Sequence, residues 1–264
     1  MKLAFIGGGT MGEAIIAAVL DNGLAKPQDV SVCEILAPRR DHLSATYGID
    51  AVDTAPPALE GADIAVLAVK PQEFAAAARE MSLRPGQTVM SIMAGVTIET
   101  IRAALKHDAV VRAIPNTPAR VGEGMTVWTA TDAVPDAARQ EVRSILAALG
   151  QELYVDDEKQ VDMATAVSSS GPAYVFLVME ALIDSAVHIG LRREVAQRIV
   201  VQTILGSAKY AQATGKHPAD LRNEVTSPAG TTTEGLLALE KAGLRLAFTE
   251  AVRAAYEKAK RLGG

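Results

Sequence analysis

Apolar and polar positions follow two different rhythms along this chain, and the change between them divides it. Over the first 157 residues, short apolar runs alternate with stretches whose apolar positions recur at helical spacing. Residues 2–6, 29–34, 49–52, 63–69, 88–92 and 109–114 read as strands. The spacing predicts helices over 13–20, 37–47, 71–81 and 97–105. The run 63–69 is apolar almost throughout, as a central strand covered on both faces must be. Strand–helix alternation on this scale implies parallel strands with right-handed crossovers, an α/β doubly wound sheet. Segments 125–131 and 151–155 are expected to extend the sheet, separated by a helix over 136–149.

Near residue 157 the strand rhythm stops. Helical patterns follow over 172–189, 194–213, 218–224, 234–242 and 246–262, with breaker-rich loops such as 214–218 between them. The expected division is therefore 1–157, a dinucleotide-type α/β domain, and 158–264, an all-α domain. The helix over 172–189 carries Val175, Leu177, Val178, Leu182 and Val187, which spread over more than one face. Such a helix is central in a bundle or shared with a second subunit. The chain shows no internal repeat and no low-complexity tract.

The first strand runs directly into Gly7, Gly8, Gly9, Thr10, Met11 and Gly12, and a helical pattern begins at Glu13. Strand, glycine turn and helix start form the context that gives a Gly-x-Gly-x-x-Gly spacing its meaning. One glycine makes the turn, the next lets backbone approach a pyrophosphate, and the last packs helix against strand. Open amides at the helix start then face the phosphate charge. Glu34 lies 22 residues past Gly12, at the end of the second predicted strand, where an acid accepts the adenosine ribose hydroxyls. Glu34 alone favours NAD, whereas Arg39 and Arg40 nearby could reach a 2′-phosphate, so the choice between NADH and NADPH stays open.

Three further stretches carry special residues where such a sheet places its ligand. Ala68, Val69, Lys70 and Pro71 follow the central strand. Asn116 is held between Pro115 and Pro118, which suits a nicotinamide or ribose contact and equally an ordinary turn. Residues 224–235 gather five hydroxyls and a Pro-x-Gly turn ahead of a helix, more than capping requires. Amides of Gly230, Thr231 and Thr232 would form a pocket for a small carboxylate there. A second hydroxyl-rich turn, Ser168 to Ser170, precedes the long central helix.

Bulk properties narrow the classes. With 49% aliphatic or aromatic residues but only 4% aromatic, the core is built from Ala, Val, Leu and Ile. The net charge of −5 argues against nucleic acid or anionic membranes as partners. The lone cysteine, Cys33, reads as a small buried hydrophobe. His42, His107, His188 and His217 are scattered without metal-ligand spacing. No leader peptide is visible and no uninterrupted apolar stretch reaches the roughly 18 residues of a membrane helix, so a cytoplasmic protein is expected.

Taken in order, these motifs resemble the pyrroline-5-carboxylate reductases over essentially the whole chain. The glycine loop, Ala68 to Pro71, the segment Ser91-Ile92-Met93-Ala94-Gly95, the Asn116 loop and Ser170-Gly171-Pro172-Ala173-Tyr174 all carry the likeness. The closing block from Leu221 to Glu240 is its most specific part. Ala229, Ser168, Ser169, Ala55 and Glu34 depart from the family pattern, the last two on the adenosine side. The resemblance implies hydride transfer from NAD(P)H to the C=N bond of 1-pyrroline-5-carboxylate, giving L-proline. It implies cofactor contacts at Ile6 and the glycine loop, Glu34, Ala68 to Pro71, Ala94, Gly95 and Asn116. Substrate contacts are implied at Ser170, Gly230, Thr231 and Thr232, with Ser227 and Thr232 as the catalytic pair. It also implies a homodimer through the helical domain, or a larger ring of dimers. A hydroxyacid dehydrogenase of the 6-phosphogluconate type would need a lysine in the inter-domain helix, and 171–190 contains none. An imine reductase for another cyclic imine and a non-catalytic dinucleotide-binding regulator are the remaining alternatives.

Overall fold

The structure is a computed structural model that describes residues 1–263, with side chains as far as Arg261. Contacts divide it into two units, Met1–Ser170 together with the chain from Ala254, and Gly171–Arg253. In the first, strands β1 (Leu3–Ile6), β2 (Val30–Cys33), β3 (Asp50–Val52), β4 (Ile64–Leu67), β5 (Thr88–Ser91), β6 (Val110–Ile114), β7 (Gly124–Ala130) and β8 (Gly150–Tyr154) form one sheet. Its order is β3-β2-β1-β4-β5-β6-β7-β8. Helices α1 (Thr10–Asp21), α2 (Ala37–Tyr47), α3 (Ala55–Leu59), α4 (Phe74–Glu80), α5 (Ile98–Leu105), α6 (Asp136–Ala147) and α7 (Lys159–Ala164) connect or follow the strands.

The period-2 alternation of β1 explains why both faces are covered. Leu3 and Phe5 join Ile15, Ile16 and Val19 of α1 in one core. Ala4 and Ile6 join Ala55, Ala58, Leu67 and Phe74 in the other. Register then sets the site. Ile6 pairs with Cys33 on one side and Leu67 on the other, so β1, β2 and β4 end at one level. Gly7, Glu34 and Ala68 consequently emerge together at the carboxyl edge. The order reverses between β1 and β4, the switch point at which doubly wound sheets bind ligands.

The expected all-parallel continuation is corrected at β7, which runs antiparallel to β6. The link between them holds only a 3₁₀ turn, Thr117–Val121, whereas a parallel crossover needs about a dozen residues or more. The helix α6 restores a crossover, and β8 is parallel to β7. The helix predicted over 71–81 opens as a 3₁₀ turn, Pro71–Glu73, before α4. The short α3 has no counterpart in the sequence reading.

After α7 a π-helical segment, Thr165–Ser169, leads to Ser170. In the second unit α8 (Gly171–His188) and α9 (Arg193–Thr214) pair, followed by α10 (Pro218–Glu224) and α11 (Thr231–Lys241). The last helix, α12 (Leu244–Gly263), begins in this unit. No described residue of α8 is buried, and Val175, Phe176, Leu177 and Leu182 are exposed. By length and composition alone the helical run Lys159–His188 is apolar enough to cross a bilayer, although polar and charged residues such as Glu180 and Asp184 interrupt it. Only 6% of its most apolar window is buried within this one chain.

Candidate active site

The glycine loop has the geometry its spacing demands. Gly7 has φ +102°, and a Cβ there would lie 2.7 Å from the Ala68 carbonyl oxygen. Its N–H donates to the Cys33 carbonyl at 2.8 Å, while the Ala68 N–H donates to Ile6 at 2.8 Å. These contacts stitch the ends of β2, β1 and β4 together. Gly12 packs α1 onto the turn, because a Cβ there would meet the Gly7 carbonyl at 2.7 Å. Gly9 caps the helix without a side-chain hydrogen bond, and the space a Cβ would occupy is open to 4 Å. With Gly9 and Thr10 exposed, the helix start leaves its first amides accessible to a dinucleotide pyrophosphate.

Beside the loop sits a charged network. Glu34 is buried, and its carboxylate accepts from the Gly8 N–H at 3.0 Å and the Leu36 N–H at 2.9 Å. Arg39 donates through Nε to the Gly8 carbonyl at 2.6 Å and pairs with Glu13. Glu13 also meets His42 at 2.8 Å and accepts from the Tyr47 hydroxyl at 3.1 Å. Burial alone would raise the Glu13 pKa. The hydrogen bonds from Arg39, His42 and Tyr47 outweigh burial and hold the carboxyl below its ordinary 4.5. A depressed folded-state pKa stabilises the fold above the unfolded value, and that stabilisation is lost as pH falls through the folded one. The acid limb of the stability curve below about pH 4.5 should therefore flatten in Glu13→Gln. Urea midpoints measured from pH 6 to pH 3 check this, and an unchanged acid slope contradicts it.

The remaining edge residues fall where the register puts them. Val69, Lys70 and Pro71 follow Ala68, with Lys70 exposed at the start of the 3₁₀ turn. Ala94 and Gly95 (φ +76°) follow β5. Asn116 follows β6, and both ends of its amide are engaged by protein. Its Oδ1 accepts from the Met125 N–H at 2.9 Å, and its Nδ2 donates to the Ser168 carbonyl and hydroxyl at 3.3 Å each. Asn116 thus ties the β6 loop to the π-helical segment that ends at Ser170.

Sequence reasoning missed the buried Arg112 of β6. Its guanidinium pairs with Glu158 at 2.8 Å and with Asp162, and Glu158 also accepts from the Ile98 N–H at 2.8 Å. A single arginine inside an otherwise apolar strand was the available signal. Burial first, then the nearby Glu80, Glu34 and Asp53 carboxylates, push the thiol of the single cysteine up to about 11.

In the second unit, the hydroxyl cluster between α10 and α11 sorts into two groups. Thr226 donates to the Arg222 carbonyl at 2.6 Å, and Thr233 donates to the Ser227 carbonyl at 2.8 Å. Both hold the turn. The side chains of Ser227, Thr231 and Thr232 have no hydrogen-bond partner among the described residues. Ala229 takes the left-handed φ of 55°, which turns the chain into Gly230 at the cap of α11. Gly230 packs tightly here: a Cβ would lie 2.3 Å from the Ser227 Oγ, which would have to rotate away, and 3.1 Å from the Ser227 carbonyl oxygen. The Gly230 N–H closes the turn on the Ser227 carbonyl at 3.1 Å, so the open amides of this helix start are those of Thr231 and Thr232. Ser170 belongs to the other unit. No cluster of three metal-ligating side chains occurs among the described residues.

Two family models match separate parts of the chain. Residues 158–262 match the family model described as pyrroline-5-carboxylate reductase dimerisation, and residues 2–95 match that of NADP oxidoreductase, coenzyme F420-dependent. The chain is 41% identical to the pyrroline-5-carboxylate reductase of Synechocystis sp., covering 100% of this chain and 98% of that protein. It is 38% identical to that of Escherichia coli, with 99% and 98% covered. Among solved structures, the pyrroline-5-carboxylate reductase of Coxiella burnetii aligns with a TM-score of 0.90 at 35% identity, covering 100% and 98%. The Plasmodium falciparum pyrroline carboxylate reductase with NADP bound also aligns at 0.90, with 30% identity over 100% and 98%.

Proposed function

We propose residue roles from one premise: the chain belongs to the pyrroline-5-carboxylate reductase family. It is an oxidoreductase that reduces 1-pyrroline-5-carboxylate to proline with a nicotinamide dinucleotide. The reduced nicotinamide supplies the hydride that the C=N carbon receives. The protein's own residues then have a limited task, because a protonated cyclic imine is already electrophilic and calls for no covalent nucleophile.

The dinucleotide-binding part is assigned to 1–157, with contacts at Ile6, Gly7 to Gly12, Glu34, Ala68 to Pro71, Ala94, Gly95 and Asn116. The part 158–264 is assigned substrate binding and dimerisation. Within it the substrate carboxylate goes to the amides of Thr231 and Thr232 at the Gly230 turn, with Ser227 and Ser170 as further contacts. The Thr232 hydroxyl is the partner of the ring nitrogen. It accepts from the iminium N–H in the reactant and donates to the lone pair that develops on nitrogen as the C–H bond forms. The observation that carries this assignment is the sorting of hydroxyls, in which Thr226 and Thr233 hold the turn while Ser227, Thr231 and Thr232 are left to meet a ligand. Holding two reactants in attack geometry of this kind lowers a barrier by several kcal/mol.

Loss of absorbance at the reduced nicotinamide band tests the reading. Oxidation dependent on 1-pyrroline-5-carboxylate, slower with the six-membered analogue, is expected. Absence of imine-dependent oxidation with both reduced cofactors overturns it.

Self-association follows from the dimerisation match over 158–262, and the exposed apolar side chains of α8 fit a surface covered by a second copy. The assembly is assigned as a homodimer, or a ring of such dimers. Light scattering should give an even multiple of 27.7 kDa, and a monomer contradicts the assignment.

A further inference from the structure

The cofactor site selects between two molecules that differ by one phosphate, and the structure commits its charges on this point. The argument rests on the reductase reading above and deepens it. Glu34 stands at the carboxyl end of β2, next to the strand that launches the glycine loop. Both of its oxygens are fixed by backbone donors, Oε2 by Gly8 and Oε1 by Leu36, and the residue is only 9% exposed. An ionised carboxylate only accepts hydrogen bonds, and each oxygen has more than one acceptor direction. The unphosphorylated ribose brings two O–H donors to such a group. A 2′-phosphate brings acceptors and about two negative charges to the same place.

The two nearby cations are turned to protein partners, Arg39 through two of its nitrogens and Arg40 through Nη1. Arg39 holds the Gly8 carbonyl with Nε and Glu13 with Nη2. Turning it toward a phosphate would leave Glu13 without its main cationic partner and release the glycine loop. Arg40 places Nη1 on the carbonyls of Glu34 and Ile35, at 2.7 and 3.0 Å, and so braces the turn that carries Glu34. On the neighbouring strand end, Asp53 follows β3 and adds a second carboxylate rather than a base. The local field is negative enough to contribute to the rise of the Cys33 thiol pKa, after burial.

We infer that Glu34 makes this reductase select NADH over NADPH, by accepting the adenosine ribose hydroxyls and repelling a 2′-phosphate. The test is equilibrium binding of each reduced cofactor without substrate, read by nicotinamide fluorescence, in the full-length protein and in Glu34→Gln. The native protein should bind NADH at least about tenfold tighter than NADPH, the ratio one such charge repulsion yields. The gap should narrow with added salt as the repulsion is screened. Glu34→Gln removes the charge, and its NH2 faces one of the two backbone N–H donors and no longer accepts from the ribose, so NADH should weaken several-fold while NADPH weakens less or tightens, and the ratio between them should fall. Equal or tighter binding of NADPH by the native protein overturns the inference. So does an equal loss for both cofactors in Glu34→Gln, because Glu34 would then only support the loop. A clear NADH preference without turnover of 1-pyrroline-5-carboxylate would uphold this inference and remove the reaction assignment instead.

Discussion

Thr232→Ala should lower kcat about a hundredfold while leaving the affinity for the reduced cofactor unchanged. The magnitude is that of removing one positioned hydrogen-bonding group from a centre where charge changes during the reaction, about 10²–10³ in turnover. The charge change here is loss of the iminium charge as nitrogen gains a lone pair. Since the Thr232 hydroxyl has no partner among the described residues, its removal breaks no internal hydrogen bond. Thermal stability should therefore be unchanged, and Thr232→Ser should restore most of the rate. Thr233→Ala supplies the contrast. It removes the bond to the Ser227 carbonyl and should reduce stability by about 1 kcal/mol through the turn. Steady-state kinetics and thermal unfolding of the three variants separate these outcomes. An unaltered kcat in Thr232→Ala would remove Thr232 from the chemistry.

Truncating Arg112 should be the most destabilising single change in the first unit, by about 3–5 kcal/mol. The guanidinium is 1% exposed and faces Glu158 and Asp162, so Arg112→Ala leaves two carboxylates facing a buried void without their counter-ion. Glu158 would keep only its bond from the Ile98 N–H at the start of α5. The damage should extend beyond the pair, since Glu158 and Asp162 flank and form α7, and the π-helical segment tied to Asn116 follows directly. Replacing all three groups together by apolar side chains of similar volume should recover much of the loss, because the cost lies in the unpaired charges rather than in the missing ion pair. Urea unfolding at fixed protein concentration measures both variants. A loss below about 1 kcal/mol for Arg112→Ala would show that the carboxylates find water instead.

Local signals made much of the first unit legible in the sequence. The helix Ala37–Tyr47 could be read to the residue because chemistry marks both ends, with Pro38 in the first turn and Gly48 (φ +66°) at the close. The glycine loop was legible because each glycine answers a separate steric demand within a few residues. The direction of β7 was not, since alternation of apolar positions carries no sign of strand polarity. The Arg112 network was hidden for a different reason. Its partners lie 46 and 50 residues away, and only the register of the sheet brings them together. In the second unit helix positions were readable, yet the division of hydroxyls between turn-holding and free ones depends on the actual path through Ala229 and Gly230. Glu34 was recognisable as an acid at the right distance. That both oxygens are anchored, and that Arg39 and Arg40 turn to protein partners, emerges only from the folded structure.

One consequence of the α8 surface concerns concentration. An 18-residue helix with no buried side chain gains little from folding in a solitary copy, whatever its intrinsic propensity. Its melting behaviour is then a property of a population, since association stabilises the folded state by mass action. In the proposed dimer, dilution would be a denaturing condition in its own right for this half of the protein. With such a dimer, a cell expressing both a sound and a defective copy would distribute the defect among mixed assemblies instead of confining it to half of the molecules.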